Sequence, residues 1–130
     1  MDMEKKILFV DDEKGILAIL DCLFRGKGYS PRCTTSGTEA LEILKRDDIK
    51  VVYTDLRMPE MDGTELCRRV RQLQPGAQVY ALSAFVGSHS PEQFEAMGFA
   101  GVFTKPFNVP RLLDSCRAAF EKLEHAGKPA

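Results

Sequence analysis

Short apolar runs alternate along this chain with longer stretches in which apolar residues recur every three or four positions, the pattern of strands and amphipathic helices wound around a parallel sheet. Residues 7–10 are the first compact run. After it, Ile16, Leu17, Ile19, Leu20, Leu23 and Phe24 recur as one helical face, which Gly26 or Gly28 should end. Residues 29–35 predict a weaker strand, which Pro31 consigns to an edge because proline donates no ladder hydrogen bond. Ser36 reads as the cap of a helix bearing Ala40, Leu41, Ile43 and Leu44, with Glu39 placed to complete a capping box.

Residues 51–54 predict the third strand and residues 58–63 a loop. A helix follows with Leu66, Val70 and Leu73 facing inward, ended by Pro75 and Gly76. Residues 79–82 are the fourth strand, but residues 85–89 contain Gly87 and lack periodicity, so the next helix should be late and short. Ser90, Pro91 and Gln93 give it a cap, a first-turn proline and a capping-box partner, and Gly98 ends it. Residues 102–104 predict the last strand. Leu112, Leu113, Cys116, Ala119, Phe120 and Leu123 make the final helix amphipathic, and residues 125–130 should fray.

Composition narrows the picture. The chain of 130 residues suits a single domain, 1–130, with an ordinary 44% apolar and 28% charged make-up. Lys plus Arg (18) almost cancels Asp plus Glu (19), so no global field recruits nucleic acid or an anionic membrane, and DNA binding would need another domain. No run is long and apolar enough for a membrane span or a cleavable leader. Cys22, Cys33, Cys67 and Cys116 fall in no metal-ligand spacing and read as buried or half-buried thiols, which points to a reducing cytoplasm.

Chemistry concentrates at the ends of the apolar runs, where open α/β sheets bind ligands: Asp11 and Asp12 after the first, Asp55 after the third, Ser83 after the fourth, and Lys105 with Pro106 after the fifth. Adjacent carboxylates repel unless a cation lies between them, and an oxygen-rich cluster that keeps some water is what Mg²⁺ prefers. The doublet, followed by Glu13, reads equally as a helix cap favoured by the helix dipole. Asp55 is harder to explain structurally, because Pro59, Asp62 and Gly63 already supply the turn and cap of the following loop. A carboxylate beside a divalent cation can attack phosphorus to form an aspartyl phosphate, although a solvated loop aspartate is the plainer alternative. Ser83 and Lys105 have ordinary readings as a strand-end hydroxyl and a surface lysine. Together they offer a hydroxyl and an ammonium for the oxygens of a phosphoryl group.

The segments ILFVDDE (7–13), TDLRMPEMDG (54–63), ALSA (81–84) and TKPF (104–107) resemble the receiver domain of bacterial two-component response regulators, over about residues 5–124. The resemblance implies a three-layer, doubly wound, flavodoxin-like α/β fold whose five parallel strands run in the order 2-1-3-4-5. It implies that Asp55 accepts a phosphoryl group from the phosphohistidine of a sensor histidine kinase or a histidine phosphotransfer protein. Mg²⁺ would be held by Asp12, Asp55 and the backbone carbonyl of Arg57, with Asp11 acting through water. Lys105, before a cis peptide to Pro106, would pair with the phosphoryl group, and Ser83 would swing in to bond it.

Two positions depart from the family pattern. Many receivers place an aromatic three residues before the lysine, where this chain has Val102; Phe103 should point to the opposite face of its strand. The expected loop character of residues 84–90 also alters the surface of the fourth helix, fifth strand and fifth helix, through which receivers dimerise or meet downstream proteins. Arg57 and Phe85 should stand at the pocket mouth and slow self-dephosphorylation. The expectation is therefore a cytoplasmic signalling phosphoacceptor rather than an enzyme. A metal-dependent phosphatase with an aspartyl nucleophile would want a second acid where Arg57 stands, and a module that is never phosphorylated would have lost an acidic position or the lysine.

Overall fold

A computed structural model of the chain describes residues 4–84 and 89–126. Among these, strands β1 (Lys6–Val10), β2 (Ser30–Thr34), β3 (Val51–Thr54), β4 (Gln78–Ser83) and β5 (Gly101–Thr104) alternate with helices α1 (Lys14–Gly26), α2 (Gly37–Arg46), α3 (Gly63–Leu73), α4 (Pro91–Ala96) and α5 (Val109–Ala126). The strands form one sheet in the order β2-β1-β3-β4-β5, and every neighbouring pair is parallel. This is the expected doubly wound fold, with Pro31 on an edge strand.

The central strands are continuously apolar because helices cover both faces of the sheet. Ile7, Phe9, Val51, Tyr53, Tyr80 and Leu82 alternate onto the side of α1 and α5, where they pack with Leu17, Leu20, Phe24, Leu112, Cys116 and Ala119. Leu8, Val10, Val52, Val79 and Ala81 point the other way, to Ala40, Leu41 and Leu44 of α2, Leu66, Cys67 and Val70 of α3, and Phe94 of α4. On β5 the same alternation sends Val102 to the second cluster and Phe103 to the first.

Helix ends follow local chemistry. Gly28 and Gly98 take φ of 92° and 104°, a backbone region that favours glycine, and close α1 and α4. In each case the residue after the glycine returns its N–H to a carbonyl five residues back: Tyr29 to Phe24 and Phe99 to Phe94, both at 3.1 Å. The capping box of α4 is complete: Ser90 Oγ accepts from the Gln93 N–H at 3.1 Å, and Gln93 Oε1 accepts from the Ser90 N–H at 2.7 Å.

Several local expectations are corrected. Ile19 is 61% exposed, because Ile16, Leu17, Leu20, Leu23 and Phe24 already fill the inward face of α1. Leu73 is 42% exposed at the end of α3, whose inward stripe is Leu66, Cys67 and Val70. Cys22 lies on the solvent side of α1, whereas Cys33 is half-buried and Cys67 and Cys116 are buried. Ser36 caps α2 by accepting from the Glu39 N–H at 3.2 Å, but its own N–H donates to Thr34 Oγ1 at 3.2 Å, which takes the place expected for the Glu39 carboxylate. His125 does not fray: α5 continues through Ala126, with this basic side chain in the last turn, where the helix dipole favours it. The readings that rest on Phe85, Gly87 and residues 127–130 lie outside the described residues.

Candidate functional site

Register brings the strand ends together. Val10 pairs with Thr54, Thr54 with Ala81, and Ser83 with Thr104, so in a parallel sheet the following residues emerge along one carboxyl edge. The ladder runs one bond further into the site: the Asp11 N–H donates to the Thr34 carbonyl (3.1 Å), that of Asp55 to Val10 (2.9 Å) and that of Lys105 to Ser83 (3.1 Å). The functional side chains therefore hang from backbone fixed by the sheet.

Asp11, Asp12 and Asp55 converge, with one carboxylate oxygen from each lying within 4.8 Å of the others. Asp11 is 2% exposed and Asp55 7%, whereas Asp12 faces solvent. Asp55 is thus not a solvated loop residue. The helix-cap alternative for the doublet is not realised either. Glu13 occupies the cap position of α1, and Asp11 Oδ1 accepts from the Glu13 N–H at 2.9 Å.

Lys105 reaches into this cluster, with Nζ 2.6 Å from Asp11 Oδ2, 3.3 Å from Asp55 Oδ2 and 3.8 Å from Glu13 Oε1. Its side chain is 12% exposed, so it is no surface lysine. The peptide bond from Lys105 to Pro106 is cis, as the family pattern implied. Burial pushes the Asp11 carboxyl above its ordinary range, against the hydrogen bond from Lys105 and the Glu13 N–H. Burial also acts to lower the Lys105 pKa, but the hydrogen bond and charge of Asp11, with the charge of Asp55, outweigh it and the net shift is upward. The ammonium stays protonated and only partly offsets the acids around it.

The two oxygens of Asp55 are distinguished. Oδ1 accepts from the Leu56 N–H at 2.7 Å and the Arg57 N–H at 3.4 Å, and Oδ2 faces Lys105. Ser83 ends β4 with its residue fully buried. The arrangement unites a carboxylate fixed on one side, two further acids and an ammonium. An all-oxygen donor set of this kind suits a hard divalent cation.

Sequence reasoning missed two residues that hold Asp55 from behind. Thr54 is fully buried and its hydroxyl donates to the Asp55 backbone carbonyl at 2.9 Å. Gly63 opens α3, its N–H donates to the Leu56 carbonyl at 2.9 Å, and its Cα lies against the Asp55 carbonyl. The Asp62–Gly63 pair at the head of an amphipathic run was a visible signal, but it read as a cap.

The family model of the response regulator receiver domain matches residues 7–117. Sporulation initiation phosphotransferase F of Bacillus subtilis is 29% identical over 115 residues, covering 88% of this chain and 93% of that protein. Transcriptional regulatory protein GlrR of Escherichia coli is 34% identical over 116 residues, covering 89% of this chain, but the chain spans only 26% of its length. Among solved structures, a CheY-like response regulator receiver domain protein from Methanospirillum hungatei superposes with a TM-score of 0.88 at 25% identity, covering 96% of this chain and all of that one.

Proposed function

This chain belongs to the response regulator receiver domain family, and from that premise we propose that Asp55 is its phosphoacceptor, taking the phosphoryl group from a phosphohistidine in a Mg²⁺-dependent reaction. The observation that carries the assignment is the meeting of Asp11, Asp12 and Asp55 within 4.8 Å, with Lys105 Nζ 3.3 Å from Asp55 Oδ2. With Oδ1 held by backbone N–H groups, Oδ2, bonded to the Lys105 ammonium, is the oxygen we assign to the attack. An O–P bond forms to Asp55 as the P–N bond to the donor imidazole breaks, and the imidazole nitrogen keeps the electron pair.

Lys105 holds its proton throughout and exchanges its bond with Asp55 for one with a phosphoryl oxygen, while the Ser83 hydroxyl donates to another. Asp11, Asp12, Asp55 and the Arg57 carbonyl would hold Mg²⁺. When bound, the ion supplies charge neutralisation to the acids and the incoming phosphoryl oxygens. The signal would leave as a changed surface of α4, β5 and α5, read by a downstream protein or a second copy, with no direct contact to nucleic acid. On this reading residues 1–130 form one receiver module, working in the cytoplasm, that catalyses only its own phosphorylation and a slow hydrolysis. Among the described residues, no helix is long and apolar enough to cross a membrane.

Acetyl phosphate treatment followed by mass spectrometry tests the assignment. Wild type should gain one phosphate only when Mg²⁺ is present, and Asp55→Asn should gain none. Phosphate on another residue, or a gain that Asp55→Asn retains, would rule Asp55 out.

A further inference from the structure

The β3–α3 loop leaves β3 at Thr54, runs through Leu56 to Asp62 and returns so that the first residue of α3 lies directly behind Asp55. A Cβ built on Gly63 would stand 2.2 Å from the Asp55 carbonyl oxygen and 2.9 Å from the Leu56 Cα. These are backbone atoms of a strand end, so no side chain can swing aside. The contact is bolted at two points, by the Gly63 N–H on the Leu56 carbonyl (2.9 Å) and by the Thr54 hydroxyl on the Asp55 carbonyl (2.9 Å). The opposite side of the same peptide unit carries the Leu56 N–H, which fixes Asp55 Oδ1 at 2.7 Å. The Asp55 carbonyl and the Leu56 N–H thus share one planar peptide, to which the carboxylate is tied by that hydrogen bond. A push that tilts the carbonyl displaces the donor that holds Oδ1.

We propose that Gly63 and Thr54 are positioning residues for the phosphoacceptor: the bare Cα of Gly63 and the Thr54 hydroxyl form a two-sided seat that sets the aim of Asp55 Oδ2. Neither touches the phosphodonor; both act through the Asp55–Leu56 peptide. Restoring a tolerable separation of 3.0 Å between a residue-63 Cβ and the Asp55 carbonyl oxygen requires a shift of about 0.8 Å (3.0 − 2.2). Misplacement on this scale can slow a positioned reaction on the order of a hundredfold. The helix side of the seat is held by the fully buried Leu66, Cys67 and Val70 of α3, packed in the core beneath the sheet, so α3 cannot readily drift away to absorb the strain.

The inference rests on the reading of Asp55 as phosphoacceptor, and wild type serves as the control for that reading: no Mg²⁺-dependent phosphate on wild-type Asp55 would defeat the reading itself. Given phosphorylation of wild type, the limiting rate constant and the half-saturating acetyl phosphate concentration are measured for Gly63→Ala, Thr54→Val and Thr54→Ser, each at a temperature where circular dichroism shows it folded. The limiting rate should fall roughly a hundredfold in Gly63→Ala and several-fold in Thr54→Val, with the half-saturating concentration little changed, and Thr54→Ser should restore the rate. A purely structural role would lower the melting temperature and leave the limiting rate of the folded protein intact, which would overturn the proposal. Should Gly63→Ala not fold, an unchanged limiting rate in Thr54→Val overturns it equally.

Discussion

Along β3, Val51, Val52 and Tyr53 are wholly buried among apolar neighbours, while the next two residues set a hydroxyl on a backbone carbonyl and a carboxylate among like charges. The interior and the carboxyl edge of this sheet are built from the same strands, a few ångströms apart, under opposite rules. In the interior every group is matched. Phe9, Phe24, Tyr53 and Tyr80 pack ring to ring, with Tyr53 and Tyr80 stacked at 4.8 Å, and the Tyr53 hydroxyl lies 2.8 Å from Ser115 Oγ. Because the Ser115 hydroxyl donates to the Leu112 carbonyl at 2.7 Å, the Tyr53 hydroxyl must be the donor to Ser115. At the edge, Asp11, Glu13 and Asp55 share the ammonium of Lys105, and Asp12 joins the same acidic cluster. The difference teaches that one sheet can pack matched rings in its interior while holding like charges together at its edge against their own repulsion.

The comparison can be broken most severely from the interior. Phe24→Ala should lower unfolding free energy by about 3–5 kcal/mol, because it empties a fully buried site touching Phe9, Tyr29 and Tyr53. Urea titration would read the loss, and the protein that remains folded should still be phosphorylated on Asp55. Next in size is Lys105→Ala, which leaves Asp11 and Asp55 buried without their counter-charge and should cost about 2 kcal/mol in the same titration. Here phosphorylation should fail as well.

Alkaline pH attacks the interior first, because in the unfolded chain the Cys116 thiol titrates from 9.0, below the 10.5 at which the Lys105 ammonium of the edge begins to matter. The Cys116 thiol is pushed from 9.0 up to about 12, by burial first of all. The folded form therefore binds its proton more tightly than the unfolded chain, so its contribution is intact below about pH 9 and is lost as pH rises toward 12. The unfolding free energy from urea titration should fall over that window, by about 1 kcal/mol from this thiol at pH 10, and Cys116→Ala should flatten the slope.

The edge should respond in the opposite sense. Asp12→Asn removes an exposed member of the acidic cluster and should raise the melting temperature without Mg²⁺, while reducing the further rise that Mg²⁺ brings. A fall in the metal-free melting temperature would show that the edge is not under repulsive strain. The smallest effect concerns the loop between the two regions. Glu60 has φ of 70° and its neighbour Met61 donates back to Pro59 at 2.7 Å, a tight turn that suits glycine, so Glu60→Gly should stabilise by about 0.5 kcal/mol in a urea titration.

Much of this is legible in the sequence. The alternation of strand-length runs with helical stripes announces the five βα units, Pro31 marks the edge strand, and Ser90-Pro91-Glu92-Gln93 spells the capped start of α4. Where pattern reading slipped, the competing choice was tertiary. Ile19 and Leu73 have the hydrophobicity of core residues, but the inward stripes of α1 and α3 were already full, and the Glu39 carboxylate lost its capping role to a hydroxyl contributed by β2. Asp11, Asp55 and Lys105 stood out as strand-end residues, yet nothing in their spacing could say that the lysine bonds Asp11 more closely than Asp55.

The sequence by itself determined the order of elements, the two faces of the sheet and the identities of the acids, hydroxyl and lysine at its carboxyl edge, because periodicity and strand ends are local properties. Only the tertiary structure decided which oxygen of Asp55 the backbone holds and which faces Lys105, how Lys105 divides itself among the acids, and that a side chain on Gly63 would strike the Asp55 carbonyl. Each of those depends on atoms distant along the chain being brought within hydrogen-bonding or van der Waals range, and such distances are fixed by strand register and the path of a loop.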